Sequence, residues 1–255
     1  MKYLQKIFLF FSLTSCANMM SPTGGQKDVD PPKLISKIEK NHAKDFQKKI
    51  IYFNFDEFIV LNKWEENFYI SPIIKKQIQK RIKGTELQII IEDTLEINTT
   101  YYLALNNCIK DLNEGNILDS LDYTFSTFAN TDTLNISGSL QDAYTLEGLV
   151  NCWVMLFNEN VNDTLIFTCD PNYIAKTDNE GNFNFPNLKN DNYKIVAITE
   201  FDFIYNLNEK IAFSNRIINP NHDSIIALFA FDPIVIIDSI GLNTKILKID
   251  STITP

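Results

Sequence analysis

The apolar residues of this chain fall in short runs broken by turn-forming residues, and none of the runs repeats with a helical period. An amphipathic helix needs apolar positions three and four apart over ten or more residues, whereas strands need only four to eight. Ile50–Phe55 (IIYFNF) places Ile51, Phe53 and Phe55 on one face, and residues 87–91 (LQIII) read as a buried strand. Further strands are expected at 34–38, 68–71, 101–105 and 123–127. Short strands at this spacing predict an all-β chain built from sandwiches. The length, 255 residues, is more than one small β domain needs, so two tandem domains are expected. Hydrophobic residues make up 45%, enough to fill two cores.

The first 15 residues form a different kind of signal. Lys2 and Lys6 precede a short apolar run, residues 7–13 (IFLFFSL). A membrane span needs about 20 apolar residues. The run fits a removable export signal instead. It ends in Leu13-Thr14-Ser15-Cys16, which resembles the bacterial lipobox. The resemblance implies that the Cys16 thiol takes a diacylglyceryl thioether and that a peptidase then cuts before it. An ordinary secretory signal with a chance cysteine is the alternative. Loss of residues 1–15 removes two lysines and no acid, taking the formal charge from −9 to −11. Each buried CH₂ of an acyl chain contributes roughly 0.8 kcal/mol, so two or three chains would hold the protein durably to a membrane. No aspartate directly follows Cys16, unlike the inner-membrane retention signal of enterobacteria, which favours the outer membrane. The acidic cluster that sends some Bacteroidetes lipoproteins to the cell surface is missing, which favours the periplasmic face.

Residues 16–32, the lipidated cysteine and a segment rich in Pro, Gly and Asp, read as a tether, with Pro31-Pro32 favouring an extended approach to the first strand. Beyond it, Phe55-Asp56-Glu57-Phe58, Ile70-Ser71-Pro72, Asn98-Thr99-Thr100-Tyr101 and Phe125-Ser126-Thr127 occur in order. Together with Thr23-Gly24-Gly25-Gln26-Lys27-Asp28 and the stretch 109–116 (IKDLNEGN), they resemble the SbsA-type bacterial Ig-like (Big_5) domain of S-layer proteins and Bacteroidetes lipoproteins. The resemblance implies a Greek-key sandwich over 33–130 with no catalytic residues. In the second half, Asp178-Asn179-Glu180-Gly181 reads as a turn between two strands, with Gly181 free to take positive φ. The stretch 177–188 (TDNEGNFNFPNL), then 193–198, resembles a carboxypeptidase-regulatory or transthyretin-like sandwich. That implies a second β domain over 131–240, followed by a tail at 241–255.

Candidate chemistry is sparse. The acid excess disfavours nucleic acid as a partner. Only His42 and His222 are available, both in polar loop contexts. Asp56 and Glu57 are adjacent on a strand end, so their carboxylates point apart and suit a local turn bond better than paired acid–base work. The loop Asp111–Asn116 has oxygen-bearing residues at alternate positions, but a calcium loop needs Gly at position 6 and Glu at position 12, where this chain has Asn116 and Asp122. An Asx-bonded turn is expected there. Residues 200–208 are too apolar for a calcium loop. Trp153 lies in a strand and reads as core or sheet face, while Trp64, beside Glu65-Glu66, reads as possible surface. Cys108, Cys152 and Cys169 match no zinc spacing. Strands at 151–157 and 164–169 around a polar turn at 158–163 would set Cys152 opposite Cys169, and an oxidising compartment would allow a disulfide between them. Two free buried thiols are the alternative. No catalytic residue, metal or cofactor is expected. The function implied is a non-enzymatic envelope lipoprotein acting as a structural or protein-interaction module, glycan binding is the alternative, and an enzyme with an unrecognised site is the third reading.

Overall fold

The computed structural model describes residues 25–36, 50–164, 168–199, 205, 209–233, 235–236 and 246–247. Cys16, His42 and most of the 200–208 stretch lie outside the described residues. The strands all fall in the unit Pro31–Pro255.

The first half folds as expected from its alternating runs. One sheet has the order β1 (Leu34–Ser36), β2 (Ile50–Phe55), β6 (Glu86–Ile90), β5 (Gln79–Lys83). A second has β4 (Tyr69–Ser71), β7 (Thr100–Ala104), β9 (Asp122–Ser126), and β3 (Ile59–Leu61) pairs with β8 (Ile109–Asp111). Ile51, Phe53 and Phe55 do share a buried face, packed with Leu87, Ile89, Leu103, Tyr123 and Phe125. Three of these strands, β3, β5 and β8, were not expected from the sequence. β5 reads Gln-Lys-Arg-Ile-Lys and is only half-buried, so pairing with β6 defines it rather than apolar content. A single helical turn, Trp64–Asn67, joins β3 to β4.

The second half is a second sandwich. Its sheets are β13 (Asn182–Leu188), β10 (Leu134–Asp142), β16 (Ile225–Ala230), and β12 (Tyr173–Lys176), β11 (Trp153–Asn158), β14 (Tyr193–Ile198), β15 (Ile211–Phe213). β16 runs parallel to β10 and the remaining pairs are antiparallel. Two short strands, β17 (Val235–Ile236) and β18 (Ile246–Leu247), pair beyond them. The expected turn forms: the Asp178 carboxylate accepts the N–H groups of Glu180 and Asn182, and Gly181 has φ +83°. A Cβ at Gly181 would also lie 2.7 Å from the Leu140 carbonyl oxygen, so both shape and conformation require glycine. The turn carries the chain from the β12 sheet to the β10 sheet.

Strands β11 and β14 are near-continuously apolar, WVMLF and IVAI, and the fold gives the reason. One face of their sheet, with Val154, Leu156, Ile195 and Ala197, closes the core of the second sandwich. The opposite face, with Trp153, Met155, Phe157, Ile174, Val196 and Ile198, is buried too. An antiparallel strand alternates only when one face meets water.

Candidate interaction surfaces

Tyr69 and Ile73 of the first sandwich pack against that second buried face. Tyr69 meets Trp153 edge-on, with ring centroids 5.4 Å apart. The Lys176 ammonium stands 5.7 Å from the Trp153 ring centre and donates to the Glu66 carbonyl at 2.6 Å. Burial pushes the Tyr69 phenol up to about 12. The outward face of the β4-β7-β9 sheet supplies the rest of the seam. Its strands alternate as sequence patterning requires, with Tyr101, Leu103, Tyr123 and Phe125 pointing inward. The alternate residues Ser71, Thr100, Thr124 and Ser126 are also buried. The Ser71 hydroxyl accepts the Ile174 N–H at 3.0 Å, and the Thr124 hydroxyl donates to the Asn187 side chain at 3.4 Å. Asn187 in turn donates to the Asp132 carbonyl at 2.8 Å, and Lys189 donates to the Thr99 hydroxyl at 2.8 Å. The two sandwiches therefore share an apolar wedge and a buried set of hydroxyl bonds.

A cleft of about 280 Å³ opens beside this seam, lined among others by Lys75, Glu96, Asp170, Tyr173, Lys189 and Tyr193. Tyr173 and Tyr193 stand edge to face, 5.7 Å between centroids, and Tyr193 donates to the Lys189 carbonyl. Burial pushes the Tyr173 phenol up to about 12 and that of Tyr193 higher, so neither titrates near neutrality. The lining contains no Ser, Thr, Cys or His.

The sequence candidates resolve one by one. Cys152 and Cys169 are both free thiols, as is Cys108, so the expected disulfide is not present. The register explains why. β11 pairs with β12 through Trp153↔Lys176 and Leu156↔Tyr173, so Cys152 lies beside Thr177, whose hydroxyl accepts its N–H at 2.9 Å. The connection is longer than the polar turn at 158–163. Cys169 lies within it and packs on the face opposite to Cys152. Burial raises the Cys152 thiol and takes that of Cys108 to about 12, leaving both as poor nucleophiles.

Asp56 is exposed, and its carboxylate accepts the Lys33 N–H at 2.8 Å, a bond across 23 residues that fastens the start of β1 rather than a local turn bond. Asp111 is buried, and its carboxylate accepts three N–H groups, from Glu114, Gly115 and Asn116, at 2.6–2.8 Å. Burial acts to raise this carboxyl, but the N–H donors outweigh it and hold it below the usual range. The oxygens that a cation would need are turned to the backbone, and among the described residues no cluster of His, Cys, Asp and Glu fits a metal. Trp64 is not at the surface: it is 7% exposed, stacked on Phe68 at 4.3 Å, with Lys80 over its ring. Trp153 is core, as expected. His222 is exposed in a turn.

One acidic site was not singled out from sequence. The buried Asp142 accepts the N–H groups of Tyr144 and Thr145 and pairs with Lys210 at 2.9 Å. Lys210 also pairs with Asp232 at 2.8 Å. The Thr145 N–H, then Lys210, hold the Asp142 carboxyl down to about 2. A depressed carboxyl contributes stability that is complete above its unfolded value near 3.9 and is lost as pH falls through the folded value. Thermal melts should therefore show stability declining between about pH 4 and pH 2, with a shallower decline in Asp142→Asn. An identical acid slope in the variant would remove Asp142 from that account.

With the geometry in place, comparison with known proteins is specific for one half. Residues 28–127 match the bacterial Ig-like domain. That span covers every strand from β1 to β9, so the first sandwich is an Ig-like domain in both sequence and fold. No curated protein sequence matches the chain. Among solved structures, BcpA, the major pilin subunit of Bacillus cereus, aligns over 80% of this chain and 71% of its own at 9% identity, with a TM-score of 0.26. The group B streptococcus pilus 2b backbone protein aligns over 70% and 82% at 11% identity, with a TM-score of 0.22.

Proposed function

We propose that this chain is an exported lipoprotein, held by lipid on Cys16, whose Ig-like and transthyretin-like sandwiches act together as a stiff, non-enzymatic spacer or protein-interaction module in the cell envelope. The Bacteroidetes outer membrane, periplasmic face, is the setting that the signal residues and the tether favour. The observation that carries the module reading is the seam. Trp153, Tyr69 and the buried hydroxyls join the two β domains, and the cleft beside them is lined by no Ser, Thr, Cys or His. A rigid pair of sandwiches suits holding a partner at a fixed distance, with loops and sheet edges as contact surfaces. The glycan alternative draws little support, since both tryptophans are buried and, among the described residues, the most exposed ring, Tyr144 at 95%, stands without a stacked neighbour.

Detergent phase partitioning tests the anchor. The native chain should enter the detergent phase and carry an acylated Cys16 as its first residue by mass spectrometry, while Cys16→Ser should stay aqueous. Unchanged partitioning of Cys16→Ser would remove the anchor. Crosslinking in the intact envelope tests the module, and a reproducible protein partner is the expected result. Recovery of polysaccharide alone would favour the glycan reading.

A further inference from the structure

One sequence pattern recurs more often than composition predicts. Seven of the 19 aspartates are followed by Ser or Thr: Asp93-Thr94, Asp119-Ser120, Asp132-Thr133, Asp163-Thr164, Asp223-Ser224, Asp238-Ser239 and Asp250-Ser251. With 31 Ser and Thr in 255 residues, composition alone predicts about two such pairs. The third residue is Leu or Ile in six of the seven and Thr in the last. The final two pairs lie outside the described residues. In the five described pairs every hydroxyl residue, Thr94, Ser120, Thr133, Thr164 and Ser224, is exposed and lies in a loop.

A turn leading into a strand could demand Asp, a hydroxyl and then an apolar residue, so that explanation needs testing first. It fits Asp132-Thr133-Leu134, where β10 starts, and it fails elsewhere. Thr94 is followed by irregular chain until β7, and Thr164 lies in a turn. Ile225 does open β16 but is 79% exposed, so no core requires it. The aspartates also do unlike things. Asp93 accepts the N–H groups of Lys76 and Thr94, Asp132 bonds the Thr100 hydroxyl, Asp163 pairs with Lys194, and Asp223 accepts the Asn219 N–H. What the five share is an outward hydroxyl flanked by a carboxylate and an apolar side chain. That arrangement offers a modifying enzyme a charged handle, an apolar anchor and an exposed hydroxyl as nucleophile.

We propose that these tripeptides are acceptor sites for O-linked glycosylation. The hydroxyl oxygen of the Ser or Thr attacks the anomeric carbon of a sugar carried on a phosphate-linked donor. A carbon–oxygen bond forms to the protein, the bond from the anomeric carbon to the donor phosphate breaks, and the hydroxyl proton passes to the transferase's base. The choice of a sugar over a phosphoryl group rests on the export reading above, because nucleotide triphosphates are cytoplasmic while lipid-carried sugars reach the outside.

Peptide mapping of the full chain, purified from its own cells, tests this. Saccharide mass increments, removable by β-elimination, are expected on Thr94, Ser120, Thr133, Thr164 and Ser224. The exposed Thr145 and Thr168, which follow Tyr144 and Phe167, should be bare. Asp119→Ala, at an exposed loop position, should empty Ser120 and leave the other four occupied. Bare hydroxyls on a chain that carries lipid at Cys16 would overturn the inference and spare the export reading. Occupied hydroxyls on an unlipidated chain would do the reverse. Equal occupancy of Thr145, unchanged occupancy in Asp119→Ala, or phosphate in place of sugar would each overturn it.

Discussion

Trp153→Ala is expected to lower stability by about 3–5 kcal/mol, the usual cost of truncating a large buried aromatic, and to resolve one unfolding transition into two. Trp153 is 4% exposed and stands where the sheet of the second sandwich meets Tyr69 of the first. Removing the indole leaves a void against Tyr69 and takes away the ring beneath the Lys176 ammonium. The seam would then rest on the hydrogen bonds of Ser71, Thr124 and Lys189, each contributing about 1 kcal/mol net, and on Tyr69 and Ile73 against a reduced apolar face. That is too little to couple two domains that each have their own core. Calorimetry reads both effects. A single transition, shifted by less than 1 kcal/mol, would show that the sandwiches are coupled elsewhere.

Gly138→Ala should be nearly as damaging by the opposite route. Gly138 sits in the middle of β10, paired with Phe183 on one side and Ile226 on the other. An added Cβ would lie 1.9 Å from the Ile226 carbonyl oxygen and 2.6 Å from the Phe183 ring. A ring can turn away, but a ladder carbonyl moves only with its strand. Overpacking at such a site costs about 3 kcal/mol. The strand that yields should be β16, which pairs on one side only. Hydrogen exchange should show Ile225–Ala230 losing protection while Ile50–Phe55 keeps its own. Unaltered protection along β16 would mean that the strand accommodates the methyl group.

Much of this fold was legible in the chain. Short apolar runs located β2, β6, β7 and β9, and the Asp178–Gly181 turn was visible from its residues. The failures have physical causes. β5 carries one apolar residue among four polar ones, so no pattern marks it. The Cys152–Cys169 pairing assumed that the polar segment 158–163 was the whole turn, and local composition cannot reveal a hairpin connection that also includes Pro171. The seam was harder still. Thr100, Thr124 and Ser126 read as the watered side of ordinary strands, and nothing local tells a hydroxyl facing solvent from one facing another domain. The run WVMLF was the available clue, since a strand without alternation needs two dry faces.

That doubly covered sheet makes the two halves unequal partners. A chain cut after the Ig-like domain would bare a face of hydroxyls, which water solvates readily. The complementary piece would bare part of an apolar face around Trp153 and Ile174, with every tendency to aggregate. Emerging amino-terminus first, the chain would have its hydroxyl-faced half ready before the half that needs a cover. The Ig-like domain would then cover, through Tyr69 and Ile73, part of a face that would otherwise stay bare.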